Sequence, residues 1–178
     1  MEREQSHVDM DLEKVSVREL NEFLHHGLQN SKVRHVRVLN PDGRHNLAVG
    51  VDSPVEINIE GHAGYFIAGM NKQAQITVHG NVGWSVAENI MSGKVRVCGN
   101  ASECAGASGH GGTLIIEGDA SSRCAISLKG SDIVVGGSVG HLSAFMAQAG
   151  RLVVCGDAGA GLGKPGFHLR GSPVVAGC

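Results

Sequence analysis

The chain is poor in aromatic residues and proline and has no long apolar run. Six of its 178 residues are Phe, Tyr or Trp and four are Pro, so large rings cannot build the core and small and β-branched side chains must fill it. No stretch approaches the ~20 apolar residues of a membrane-spanning helix. The opening MEREQSHVDMDLEK is polar and acidic, unlike a secretion leader, so the expected location is cytoplasmic. Fifteen basic against seventeen acidic residues give no strong field for nucleic acid or an anionic membrane. Cys98, Cys104, Cys124, Cys155 and Cys178 are odd in number and lack Cys-x-x-Cys or His-x-x-x-His spacing. They point to free thiols rather than to a disulfide framework or a zinc site.

Glycine is abundant, with 27 residues, and much of it is periodic. Gly61, Gly80, Gly99, Gly118, Gly137 and Gly156 follow one another at 19-residue intervals. Two positions before each stand Ile59, Val78, Val97, Ile116, Val135 and Val154; four before stand Ile57, Ile76, Val95, Leu114, Ile133 and Leu152. Seven after it the column is small: Ala68, Ala87, Gly106, Ala125, Ala144 and Gly163. A fixed period marks a solenoid, whose units bury their apolar faces only by stacking. Helical repeats need about 33 residues or more, whereas this unit is short, β-branched and alternating, so the expected fold is an all-β, single-stranded parallel β-helix. At ~4.8 Å per coil the six clear repeats span roughly 24 Å.

The flanks differ. Residues 1–14 are read as a flexible amino terminus. Residues 15–54 are read as a cap of one helix and lead-in strands. Ser16 and Glu19 fit a capping box, and Val17, Leu20, Phe23 and Leu24 form an apolar stripe ending near Asn30. Val33–Leu39 and His45–Val51 alternate around the turn Asn40-Pro41-Asp42-Gly43, as a hairpin or lead-in strands would. Such a cap covers the unpaired backbone groups of the first coil. Residues 55–178 form the repeat domain; its period slips after Gly156, and the next matching stretch is Pro173-Val174-Val175-Ala176-Gly177.

Motifs of chemistry are weak. Gly161, Gly163 and Gly166 spell G-x-G-x-x-G, but Pro165 leaves no helix to receive a dinucleotide phosphate, and Gly163-Lys164 lacks the rest of a phosphate loop. Ser108 and His110 have no orienting acid nearby in sequence. The column after the periodic glycine, His62, Asn81, Asn100, Asp119, Ser138 and Asp157, resembles an acid–base array but suits a repeated corner, whose residues hydrogen-bond locally. Glu60 and Glu117 share another column, three coils apart, with His79 and Cys98 between them, too dispersed for a glycosidase pair. No catalytic, cofactor or metal residue is therefore assigned. The outward column of the strands runs Asn58, Thr77, Arg96, then Ile115, Val134, Val153 and Val174, turning apolar halfway along. Either the amino-terminal helix or a partner protein should cover that face.

The stretch Glu60-Gly61-His62-Ala63-Gly64-Tyr65-Phe66-Ile67-Ala68-Gly69-Met70-Asn71-Lys72 is followed by Gly80-Asn81-Val82-Gly83 and Val86-Ala87-Glu88-Asn89-Ile90-Met91-Ser92-Gly93. With residues 137–150, these resemble the glycine-repeat (GXGXG) domain at the carboxyl end of the glutamate synthase large subunit. The resemblance covers roughly residues 33–160 and looks closest to the stand-alone form of that domain, the B-type subunit of N-methylglutamate synthase. The same domain type occurs in the C subunit of formylmethanofuran dehydrogenase. The resemblance implies a right-handed β-helix that positions other subunits, an amidotransferase-like chain and a synthase-like chain carrying FMN and iron–sulfur clusters. It assigns this chain no catalytic residue and no cofactor. The complex it implies makes N-methylglutamate from methylamine and glutamate. A formylmethanofuran dehydrogenase subunit and a free-standing carbohydrate-active β-helix are the alternatives.

Overall fold

The computed structural model describes residues 6–29, 31–163 and, as backbone, 174–176. Nine strands form one sheet in sequence order, every neighbouring pair parallel. They are β1 (His7–Asp11), β2 (His35–Leu39), β3 (Glu56–Glu60), β4 (Gln75–Val78), β5 (Lys94–Val97), β6 (Thr113–Ile116), β7 (Lys129–Val135), β8 (Ala149–Val154) and β9 (Val174–Ala176). Each coil of the solenoid contributes one strand. A second, minimal ladder of parallel bridges runs Ala63, Val82, Ala101, Ala120, Val139 and Ala158.

The register is that of the apolar columns. Ile57, Ile76, Val95, Leu114, Ile133 and Leu152 stand side by side, as do Ile59, Val78, Val97, Ile116, Val135 and Val154, and all twelve are buried. Each such side chain contributes about 1.5–3 kcal/mol on leaving water. Parallel pairing at constant register is the consequence of the period, since like side chains must stack to complete one core.

The periodic glycine is required by close approach. A Cβ on Gly118 would lie 2.1 Å from Asn100 Oδ1, and one on Gly137 would lie 2.2 Å from Asp119 Oδ1. The small column faces the core, with Ala68, Ala87 and Ala125 fully buried. In the turn segments at residues 46–50, 66–70, 85–89, 104–108, 123–127 and 142–146 three alternate residues take left-handed backbone, for example Phe66, Ala68 and Met70 at φ 57°, 56° and 54°. The alternation sends successive N–H groups in opposite directions along the axis: Phe66 N–H donates to Trp84 O at 2.9 Å, one coil on, and Ala68 N–H to Leu47 O at 3.0 Å, one coil back. Left-handed backbone costs a non-glycine residue roughly 1–2 kcal/mol, and these axial bonds together with core burial offset it.

Helix α1 (Val17–Glu22) starts at the expected capping box, with Ser16 accepting from Glu19 N–H and the Glu19 carboxylate accepting from Ser16 N–H. It continues as a π-helical turn over Phe23–Gly27. Leu20, Leu24 and Leu28 are buried, so the stripe closes the end of the core. Asn21 Nδ2 donates to Asn46 O at 2.8 Å, and His25 Nε2 is bonded to Val49 O at 2.7 Å.

Two expectations for the cap are corrected. Residues 7–11, within the stretch expected to be flexible, form the edge strand β1 paired with β2. Val8 and Met10 pack on the core and Leu12 is buried, so a sparse apolar alternation suffices inside a polar segment. No hairpin joins residues 33–39 to 45–51; β2 pairs in parallel with β1 and β3. Residues 45–51 instead form the first turn segment, with positive φ at Asn46, Ala48 and Gly50. Alternating φ also gives a two-residue period, which is why this segment imitates a strand. Residues 164–173 and 177–178 lie outside the described residues, among them Lys164, Pro165, Gly166 and Cys178.

Candidate functional site

The outward face of the sheet changes character along the axis. On its first half the side chains are polar or charged. Arg37 lies 3.8 Å from Asp9 and 3.4 Å from Glu60, and His35 lies 3.2 Å from Glu56. Glu117 accepts from Arg96 Nε at 2.7 Å, so the two carboxylates of the Glu60 column each sit against a guanidinium. Beyond Arg96 the middle column becomes Ile115, Val134 and Val153, all half-buried and in register. Asp132 and Arg151 flank this strip, with Arg151 Nε donating to Asp132 Oδ1 at 2.7 Å. The guanidinium holds the Asp132 carboxyl below its usual range and is itself raised by the carboxylate.

The sequence places Val174 at the end of that strip, but the register does not. Val174 stands opposite Leu152, and Val175 stands opposite Val153. The pairing offset from β8 to β9 is one residue more than the spacing of Gly156 and Gly177. Helix α1 does not cover the strip, because it packs at the β1–β2 end on the segment around Asn46 and Val49.

The polar column is a hydrogen-bonded ladder. Asn81 N–H donates to His62 Nδ1 at 2.9 Å, Asn100 N–H to Asn81 Oδ1 at 2.8 Å and Asp119 N–H to Asn100 Oδ1 at 2.8 Å. Ser138 N–H follows to Asp119 Oδ1 at 2.7 Å, and Asp157 N–H to Ser138 Oγ at 3.0 Å. The expected local bond within each corner is replaced by one to the next coil. One acceptor atom each of His62, Asn81, Asn100, Asp119 and Ser138 is thus engaged in axial bonding. Ser108 is a turn residue with φ 54°, its N–H bonded to Ile126 O. Among the described residues no group of three His, Cys, Asp or Glu could hold a metal ion. Cys124 is buried, and desolvation, with a smaller contribution from Cys104, pushes its thiol up to about 12.

One feature escapes a reading by columns. The most exposed large apolar side chains lie in the turn segments rather than the strands, and Tyr65, Phe66, Met70 and Trp84 are 40%, 46%, 50% and 50% exposed. The signal was available as a concentration: the sole Tyr and the sole Trp of an aromatic-poor chain lie one repeat apart, beside Phe66.

Among the described residues no helix is long and apolar enough to cross a membrane. No protein-family model matches the chain, and no solved structure matches it. The chain is similar to "Protein GlxC" of Rhizobium meliloti (strain 1021), 54% identical over 62 residues, which are 35% of this chain and 27% of that protein. The match thus spans about a quarter of the relative's length.

Proposed function

We propose that this chain is a glutamate-synthase-like glycine-repeat unit serving as a structural subunit of an amidotransferase complex. Its role is to fix the relative position of an amidotransferase-like chain and a synthase-like chain. The FMN and iron–sulfur clusters belong to the synthase-like partner, and this chain holds no cofactor and contributes no catalytic residue. The complex makes N-methylglutamate from methylamine and glutamate in the cytoplasm.

The observation that carries this reading is the outer strand face, which turns from paired ions to the apolar strip Ile115, Val134 and Val153 on a stiff solenoid. A contiguous apolar patch on a water-facing sheet marks an interface, and a rod whose polar ladder is consumed in axial bonds acts through shape. The resemblance over residues 33–160 supplies the kind of complex, and the similarity to "Protein GlxC" shows that part of the chain has a relative in another protein.

The test is affinity purification of the tagged chain from its native cell, with mass spectrometry and an absorbance spectrum of the eluate. An amidotransferase-like chain and a yellow flavin-bearing chain are expected together, and Val134→Glu should release at least one of them. Molybdenum- or tungsten-containing subunits would replace this reading with a formylmethanofuran dehydrogenase. A lone colourless protein would refute both.

A further inference from the structure

Two histidines of the first coils hold their neighbours only while uncharged. His45 Nδ1 accepts the N–H of Tyr65 at 2.9 Å, and His62 Nδ1 accepts the N–H of Asn81 at 2.9 Å. A backbone N–H can only donate, so in both rings Nδ1 carries the lone pair and the proton sits on Nε2. The other bonded histidines make the opposite demand. His7 lies 2.6 Å from Asp9 and His35 lies 3.2 Å from Glu56, pairs that a second ring proton strengthens. His25 Nε2 and His79 Nε2 face the oxygens of Val49 and Asn58, which a charged ring still serves as donor. The bonds of His45 and His62 are successive links along the axis and tie together three coils. Those coils carry the stacked rings of His45, Tyr65 and Trp84, with centroids 4.4 and 5.2 Å apart and planes within 12° and 14°. A Cβ on Gly64 would lie 2.0 Å from His45 Nδ1, so the imidazole rests directly on the backbone it bonds.

Both residues are exposed, so a proton from solvent reaches either ring in the folded chain. Of the charged and titratable groups around them, Asp42 and Arg44 share the turn of His45, and the Tyr65 phenol belongs to the ring stacked on it. Glu60 ends the strand before His62, and His79 follows the strand that leads to Asn81. Among the described residues none of these is ion-paired with His45 or His62. We propose that His45 and His62 form a proton-operated latch on the aromatic stack. A proton added at Nδ1 sets a donor against a donor, so the Tyr65 and Asn81 amides lose their partners. The stack on Trp84 then loosens while the strands keep their pairing. The closed latch binds fewer protons than the open one, so closure is favoured above the imidazole range of about pH 5–8 and lost as pH falls through it. Mild acid thus acts on the exposed rings of the turn face and leaves the buried columns intact.

The test is amide hydrogen exchange of the full-length isotope-labelled chain at pH 7.5 and pH 5.0, read by NMR as protection factors so that the intrinsic pH dependence of exchange is removed. The Tyr65 and Asn81 amides should lose about fivefold in protection in acid, the equivalent of one hydrogen bond. The amides of Asn100 and Asp119 are the control. They occupy the same ladder, but their acceptors, Asn81 Oδ1 and Asn100 Oδ1, do not titrate, and their protection should hold. His62→Asn installs the acceptor used further along the column and should keep Asn81 protected at both pH values. His45→Asn should do the same for Tyr65. Trp84 is the sole tryptophan, and its emission should change between the two pH values in the wild type but not in His45→Asn. Equal protection of Tyr65 and Asn81 at the two pH values, or an equal loss at Asn100 and Asp119, would overturn the proposal. So would an acid response that survives both substitutions, or an unchanged Trp84 emission in the wild type.

Discussion

Asn100 Oδ1 accepts the backbone N–H of Asp119, one coil on, at 2.8 Å, and a Cβ on Gly118, the preceding residue, would lie 2.1 Å from that oxygen. The ladder and the periodic glycine are therefore one device. Asn100→Ala should lower unfolding free energy by about 0.5–1.5 kcal/mol, the net worth of one hydrogen bond. Gly118→Ala should cost more, because the oxygen and the Gly99 carbonyl must both give way. The double variant should be less destabilised than the sum of the singles, since the nearest obstacle is gone. Urea unfolding followed by circular dichroism measures all three, and strict additivity would separate the two columns.

Adjacent residues of β7 should respond oppositely to charge. Ile133 is fully buried, and Ile133→Glu should prevent folding, because an unpaired buried charge costs several kcal/mol. Val134 is half-buried on the outer face, and Val134→Glu should shift stability by about 1 kcal/mol or less. Its effect should appear in complex formation. Gel filtration and thermal melts of the two variants check the contrast.

Cys124 should resist alkylation at pH 8 in the native chain, since its thiol is buried and raised to about 12. The folded state holds this proton more tightly than the unfolded one. Its contribution to stability is whole below the ordinary thiol value of 9.0 and declines as pH rises toward about 12. Wild type should thus lose stability above pH 9 faster than Cys124→Ala, by at most about 1.4 kcal/mol per pH unit. Denaturant melts between pH 8 and 10.5 compare the slopes.

The amino-terminal cap should loosen in acid before the coils do. The bond from Asn40, with those from Lys14 and Glu13 N–H, holds the Asp11 carboxyl at about 2, and the Ser16 N–H and hydroxyl lower that of Glu19. Both are depressed, so their contribution is present above the unfolded carboxylate values and is lost as pH falls through the folded ones. Hydrogen exchange at Leu20 and Leu24 should accelerate below pH 4 relative to exchange at Ile116. Ser16→Ala should speed it at neutral pH, with a cap loss of about 1 kcal/mol.

The 19-residue period, the two buried columns and the capping box were legible in the sequence because each is a local or strictly periodic constraint. Given parallel stacking, Ile57 can only stand beside Ile76, and Ser16 and Glu19 meet within one helical turn. The tertiary structure decided matters that depend on neighbours distant along the chain. Val8 and Met10 become an edge strand only because β2 lies beside them. Residues 45–51 alternate like a strand but form a turn, because left-handed and right-handed backbone also repeat every two residues. The polar corner bonds to the next coil because stacking brings the following N–H within 3 Å, whatever the local preference of Asn or Asp. The β8–β9 register sets Val174 opposite Leu152 rather than Val153. Which apolar side chains remain in water was likewise unreadable from columns alone: exposure belongs to the packed coil, and the packing left Phe66, Met70 and Trp84 outside.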